Sequence, residues 1–146
     1  MNSVIKEKKK TRSNVAPYRI HHVAVNVKDL QRSIEFYEKL IGLYLTDRDE
    51  HSAKLKIGEA DLTLFQLPSD AEPCDKPDGE HASSLNHIAF EIHPSMFETY
   101  HKRLIDHDIK ITFGPVKRRH GHALYFLDPD GNKIELFYSN TARNGA

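Results

Sequence analysis

The chain has 146 residues and one cysteine, Cys74. A single cysteine excludes an intrachain disulfide framework and a thiolate metal cluster. Net charge is also missing, because 21 basic residues balance 21 acidic ones. That argues against a protein held to nucleic acid or to a lipid surface by bulk charge. No apolar run approaches the roughly 18 residues that a membrane span requires. Residues 1–16 carry Lys6, Lys8, Lys9, Lys10 and Arg12 without the apolar core of a signal peptide. These absences predict a cytoplasmic protein with a small-molecule partner, and neither nucleic acid nor membrane as a partner. What is abundant is histidine, with ten residues.

The length suits one domain, or two small modules folded around each other. Residues 1–16 read as a disordered, solvated basic tail, with a weak basic contact segment as the lesser reading. Residues 17–139 form the domain, and 140–146 a second tail. Val23, Val25 and Val27 alternate with His22, Ala24 and Asn26, the pattern of a half-buried strand. Asp29 then caps a helix with Leu30, Ile34, Tyr37, Leu40 and Ile41 at helical spacing, and Gly42 closes it. Strand-like pieces follow near 43–47, 52–57 and 61–67. The Pro- and Asp-rich stretch 68–84 is a linker.

The same programme then repeats. Ile88 to Ile92 alternates as the first strand does, and Ser95 with Glu98 has capping-box spacing ahead of a second helix. Phe97, Tyr100, Leu104 and Ile105 give that helix its expected buried stripe. Further strands are expected near 109–113, 122–127 and 132–138, with a tight turn at Asp128-Pro129-Asp130-Gly131-Asn132. The letters repeat too: His22-Val23-Ala24-Val25 matches His87-Ile88-Ala89-Phe90, and Leu62-Thr63-Leu64-Phe65 matches Ile134-Glu135-Leu136-Phe137. Two strand–helix–three-strand modules, about 18–67 and 85–139, are too small to be comfortable alone and are expected to share one core.

Strand parity places the candidate chemistry. His22 and His87 point away from the helix-facing side of their strands. Glu135 shares its parity with Lys133 and Phe137, opposite Ile134, Leu136 and Tyr138. If the two sheets curl into a common trough, His22, His87 and Glu135 converge in it. Two imidazoles and a carboxylate suit a divalent ion; iron(II) or manganese is favoured, with zinc, nickel or cobalt as alternatives. Three protein donors leave coordination positions open, as in a catalytic site. Any one such residue alone is more often structural, and only the repeat raises the odds.

These features resemble the vicinal oxygen chelate superfamily of glyoxalases, bleomycin-resistance proteins and extradiol dioxygenases. The resemblance rests on the repeated module, a first-strand histidine in each half, the segment 29–43, and Asp-Pro-Asp-Gly-Asn-Lys-Ile-Glu at 128–135. It covers about residues 18–139. It implies an α+β fold in which two βαβββ modules form a curved, barrel-like mixed sheet with the helices outside. It also implies a divalent metal on His22, His87 and Glu135, and a homodimer that in some members completes its site across chains. Thr63 stands where glyoxalase I carries a fourth ligand, which weakens that subclass.

The resemblance implies a metal-dependent enzyme acting on a small molecule with vicinal oxygens. Extradiol dioxygenase-like chemistry stands slightly ahead. The alternatives are a glyoxalase-type lyase or isomerase, a fosfomycin-type thiol transferase, or a non-catalytic antibiotic-binding protein. Tyr125 lies ten residues before Glu135, as in both dioxygenases and fosfomycin-resistance enzymes, and is the candidate hydrogen-bond donor. His120 and His122 are the candidate bases, with a solvated hairpin as the blander reading. Arg143 only roughly matches a phosphonate-binding arginine. Lys117, Arg118 and Arg119 read as a solvated turn before an anion site. His21 reads as structural, and His81 as a linker residue with trough capping as the lesser role.

Overall fold

The computed structural model describes residues 16–70 and 86–140. Residues 1–15 of the expected tail, most of the expected linker with His81, and residues 141–146 with Arg143 lie outside the described residues.

The first module comprises β1 (His22–Val27), α1 (Leu30–Glu35), β2 (Tyr44–Arg48), β3 (Ser52–Ile57) and β4 (Ala60–Gln66). The second comprises β5 (Ile88–Glu91), α2 (Phe97–Asp106), β6 (Ile111–Arg118), β7 (Gly121–Leu127) and β8 (Lys133–Ser139). Each forms its own four-stranded sheet, in the orders β1-β4-β3-β2 and β5-β8-β7-β6. The first and last strands of each module pair in parallel and the others antiparallel. The α+β pair of modules is as expected. Its strands form two mixed sheets with no closed barrel.

The Asp29 carboxylate accepts the Arg32 backbone N–H at 3.0 Å, a cap worth about 1 kcal/mol. Beyond Glu35 the helix widens into a π-helical stretch, Phe36–Ile41, and ends at Gly42. Gly42 has φ +90°, a left-handed conformation that glycine adopts without Cβ strain. The widening keeps Phe36, Tyr37, Leu40 and Ile41 all buried.

The second helix departs from expectation at its start. Pro94–Met96 form a 3₁₀ turn, Met96 precedes α2, and no side chain caps it. The Met96 N–H is spent on the His93 carbonyl at 2.9 Å. Met96, not Ser95, is the N-cap, so the Ser95–Glu98 capping box is not formed. Phe97 and Leu104 are buried, whereas Ile105 is 56% exposed. Ile105 lies about 100° around the helix from Leu104, past the edge of the apolar stripe.

One apolar core runs through both modules, from Leu30, Ile34 and Leu64 to Phe90, Leu104, Phe126 and Leu136. Phe36 and Phe126 bring the two halves into ring contact at 6.1 Å. The expected tight turn at 128–132 clasps them together. Asp128 accepts the Asp130 and Asn132 backbone N–H groups, the Asn132 amide, and the Tyr37 hydroxyl at 2.6 Å. Burial, and then the neighbouring Asp128 charge, push the Tyr37 phenol far above its ordinary value, so it stays a donor. Asp130 accepts the Lys28 backbone N–H and the Ser33 hydroxyl. From the other side, the Tyr100 hydroxyl donates to the Ile41 carbonyl. The modules thus meet through their helix-bearing sides, which leaves the opposite sheet faces open.

Candidate metal and substrate site

The alternation of β8 decides what faces the open side. Ile134 and Leu136 are fully buried in the core. Glu135 points the other way, between Ala89 of β5 and Tyr125 of β7 in register. His87, just ahead of β5, brings its Nε2 to 2.8 Å from Glu135 Oε2. Its Nδ1 lies 2.7 Å from the Asn86 side-chain oxygen. The Tyr125 ring meets His87 edge-on at 5.8 Å.

Arg118 completes the group. Its guanidinium donates to the Tyr125 hydroxyl at 2.9 Å and lies over the Phe113 and Tyr125 rings at 5.6 and 5.5 Å. The residues border an open pocket of about 410 Å³, lined by Asn86, His87, Thr112, Phe113, Arg118, Tyr125 and Lys133. Two cations, an apolar wall and a phenol therefore surround an imidazole in contact with a buried carboxylate.

His22 lies elsewhere. It opens β1 in the other sheet, exposed, with its Nδ1 2.9 Å from Nδ1 of His21. Among the described residues no three His, Cys, Asp or Glu side chains group to hold a metal ion. A single-chain trough holding His22, His87 and Glu135 together is thus not what the chain forms. The physical reason is topological. Each module closes its sheet on its own strands, and the modules join through the helix side. The repeat itself is exact in register: Ala24 faces Thr63 as Ala89 faces Glu135. Thr63 therefore does occupy the position equivalent to Glu135.

The candidate bases fare differently from Tyr125. His122 has the parity of Leu124 and Phe126, which are in the core. It stacks on Tyr138 and shares a 2.7 Å hydrogen bond with that hydroxyl, on the helix-bearing side. Strand parity thus removes His122 from the pocket. His120 lies exposed in the turn between β6 and β7 and does not line it.

Arg118 is the residue that sequence reasoning undervalued. The expected strand near 109–113 extends to residue 118, through bulges that carry it past Gly114-Pro115. Arg118 pairs with Gly121, so only Arg119 and His120 remain for the turn. The two-residue loop Arg119-His120, closed by Gly121, was the available signal. Lys133 was legible from its parity with Glu135. His21, read as structural from parity, in fact touches His22 because it lies outside the strand ladder.

A family model described as the Glyoxalase/Bleomycin resistance protein/Dioxygenase superfamily matches residues 19–136. The chain belongs to that superfamily. Among curated relatives, it is 33% identical over 118 residues to "Metallothiol transferase FosB" of Staphylococcus saprophyticus, covering 80% of this chain and 74% of that one. It is 32% identical over 123 residues to "Glutathione transferase FosA" of Serratia marcescens, covering 84% and 82%. Among solved structures, a glyoxalase/dioxygenase from Nostoc punctiforme superposes with TM-score 0.75 at 29% identity, covering 90% of this chain and 99% of that one. No helix among the described residues is long and apolar enough to cross a membrane.

Proposed function

We propose that this protein is a divalent-metal-dependent thiol transferase acting on a small anionic molecule with adjacent oxygens, of the fosfomycin type. The observation that carries the reading is the contact between His87 and Glu135 beside a pocket flanked by Arg118, Lys133 and Tyr125. Similarity to two transferases at about one-third identity supports the thiol chemistry. The dioxygenase reading relied on His120 or His122 as base, and neither lines the pocket.

The donor set suits a metal. An imidazole nitrogen and a carboxylate oxygen 2.8 Å apart would both serve one cation of intermediate softness, such as manganese(II), iron(II) or zinc, that displaces the proton between them. A bound ion would supply Lewis-acid polarisation of a substrate oxygen. The chain's own groups do the rest. Arg118 and Lys133 balance the charge of an anionic substrate. Tyr125 accepts from Arg118, which leaves its own proton to be donated to a substrate oxygen. Phe113 gives that substrate an apolar wall.

The third donor is His22 from a second copy of the chain. Exposed Tyr18 and Ile20 beside His22, and exposed Phe113 beside the pocket, are apolar side chains that a dimer would cover. A thiol cosubstrate places the reaction in a reducing compartment, the cytoplasm.

The test measures metal content of the purified chain, then manganese-dependent loss of glutathione or cysteine thiol in the presence of fosfomycin. A catechol oxygen-uptake assay runs beside it. Thiol loss that needs both fosfomycin and metal is the expected result, and His87→Ala should abolish it. Metal-dependent oxygen uptake without thiol loss would overturn the reading in favour of a dioxygenase.

A further inference from the structure

The two first-strand histidines share a feature that their own identities do not explain. In each module the residue immediately before the histidine touches its Nδ1. Asn86 Oδ1 lies 2.7 Å from Nδ1 of His87, and His21 Nδ1 lies 2.9 Å from Nδ1 of His22. Neighbouring residues in a pleated strand point to opposite faces and do not meet. Here His21 stands just outside its ladder, since β1 begins at His22, and Asn86 and His87 both precede theirs, since β5 begins at Ile88. At that point the side chain is free to fold back over the histidine. The His21 backbone is itself pinned, because the Asp61 N–H donates to its carbonyl at 3.0 Å.

A histidine that donates an electron pair to a metal does so through one ring nitrogen. The other nitrogen then carries the proton and needs an acceptor, which fixes both the tautomer and the ring orientation. An amide oxygen and a neutral imidazole nitrogen are both acceptors. That two different residue types make the same contact at equivalent places in a repeat points to what they share, a lone pair aimed at Nδ1. In the second module Nδ1 is the ring atom that faces Asn86 and Nε2 the one that faces Glu135.

We propose that His21 and Asn86 are a repeated pair of positioning residues. Each accepts the Nδ1 proton of the histidine that follows it, so that Nε2 of His22 and of His87 is presented as the metal donor. The proposal rests on the reading of those two histidines as donors to a divalent ion. It assigns roles to two side chains that contribute no donor of their own.

The test uses the full chain. Long-range ¹⁵N–¹H NMR of the metal-free protein, at a pH where imidazoles are neutral, reads which nitrogen of His22 carries its proton. Calorimetry with manganese(II) reads affinity in wild type, His21→Asn, His21→Leu, Asn86→Leu, His22→Ala and His87→Ala. His22 should be protonated at Nδ1 in wild type and in His21→Asn, and should lose that preference in His21→Leu. Affinity should fall about ten- to a hundredfold in His21→Leu and Asn86→Leu. His21→Asn should restore it, because the amide oxygen replaces the imidazole acceptor as Asn86 does. Finding the wild-type His22 proton on Nε2 would overturn the proposal. So would His21→Leu binding like wild type while His22→Ala does not. If His22→Ala and His87→Ala both bind like wild type, the donor assignment itself fails and the positioning role falls with it.

Discussion

Replacing Tyr37 by Phe should cost the folded chain about 2 kcal/mol. Tyr37 is fully buried, and its hydroxyl donates to Asp128 at 2.6 Å. A hydrogen bond to a charged acceptor is worth roughly 1.5–3 kcal/mol. Asp128 keeps the Asp130 and Asn132 backbone donors on Oδ1 and the Asn132 amide on Oδ2. The carboxylate is therefore not orphaned, which places the loss in the lower half of that range. The ring stays in place, so the apolar contacts with the core are retained. For a chain of this size about 2 kcal/mol lowers Tm by about 6 °C. Urea unfolding followed by circular dichroism measures the change, and a cycle with Asp128→Ala isolates the pair. The slope on urea should not change. A loss below about 0.5 kcal/mol, the range of ordinary surface substitutions, would refute the claim that this contact clasps the two modules.

Gly121→Ala should destabilise more than Tyr37→Phe, by about 3 kcal/mol, because a Cβ there would stand 1.7 Å from the Tyr138 carbonyl oxygen and force β7 from β8. Thermal unfolding checks it, and an unchanged Tm would show that the strand pair yields easily. Asp49 accepts from the His51 and Ser52 backbone N–H groups and the Ser52 hydroxyl. The His51 backbone bond first, then the bonds from Ser52, hold its carboxyl below the ordinary 3.8. Its stabilising effect is thus complete above the ordinary value and is lost as pH falls through the lower folded one. The stability difference between wild type and Asp49→Ala should shrink in acid, and a difference independent of pH would contradict this. Arg118→Met should raise the substrate KM at least tenfold, through loss of a charge-assisted contact, while leaving metal affinity near wild type. An equal loss of metal affinity would mean that Arg118 acts by holding the His87 region together.

The repeat was the most legible part of this sequence. Alternation of Val23, Val25 and Val27, and of Ile134 and Leu136, marks the buried strand faces because a pleat has a period of two. The same period sets Glu135 and Tyr125 on the open face, and it sets His122 on the closed one. The Asp29 cap and the Gly42 terminator were readable because each depends on a few adjacent residues. The Ser95 capping box looked equally local. It failed because Pro94 opens a 3₁₀ turn, so that Met96 rather than Ser95 stands at the N-cap of α2.

The sequence by itself determined the two modules, their strand parity, and the side chains that face away from the core. These follow from backbone periodicity and from the exclusion of apolar side chains from water. Only the tertiary structure decided which of those side chains meet. Pairing β5 with β8, and β7 with β8, brings His87, Glu135 and Tyr125 together across 48 residues of chain from first to last, 135 − 87. Joining the modules through the π-helical stretch, α2 and the Asp128 turn keeps His22 from that group, although its place in the repeat matches that of His87. Register and docking are sums over many distant contacts, and no local pattern encodes them.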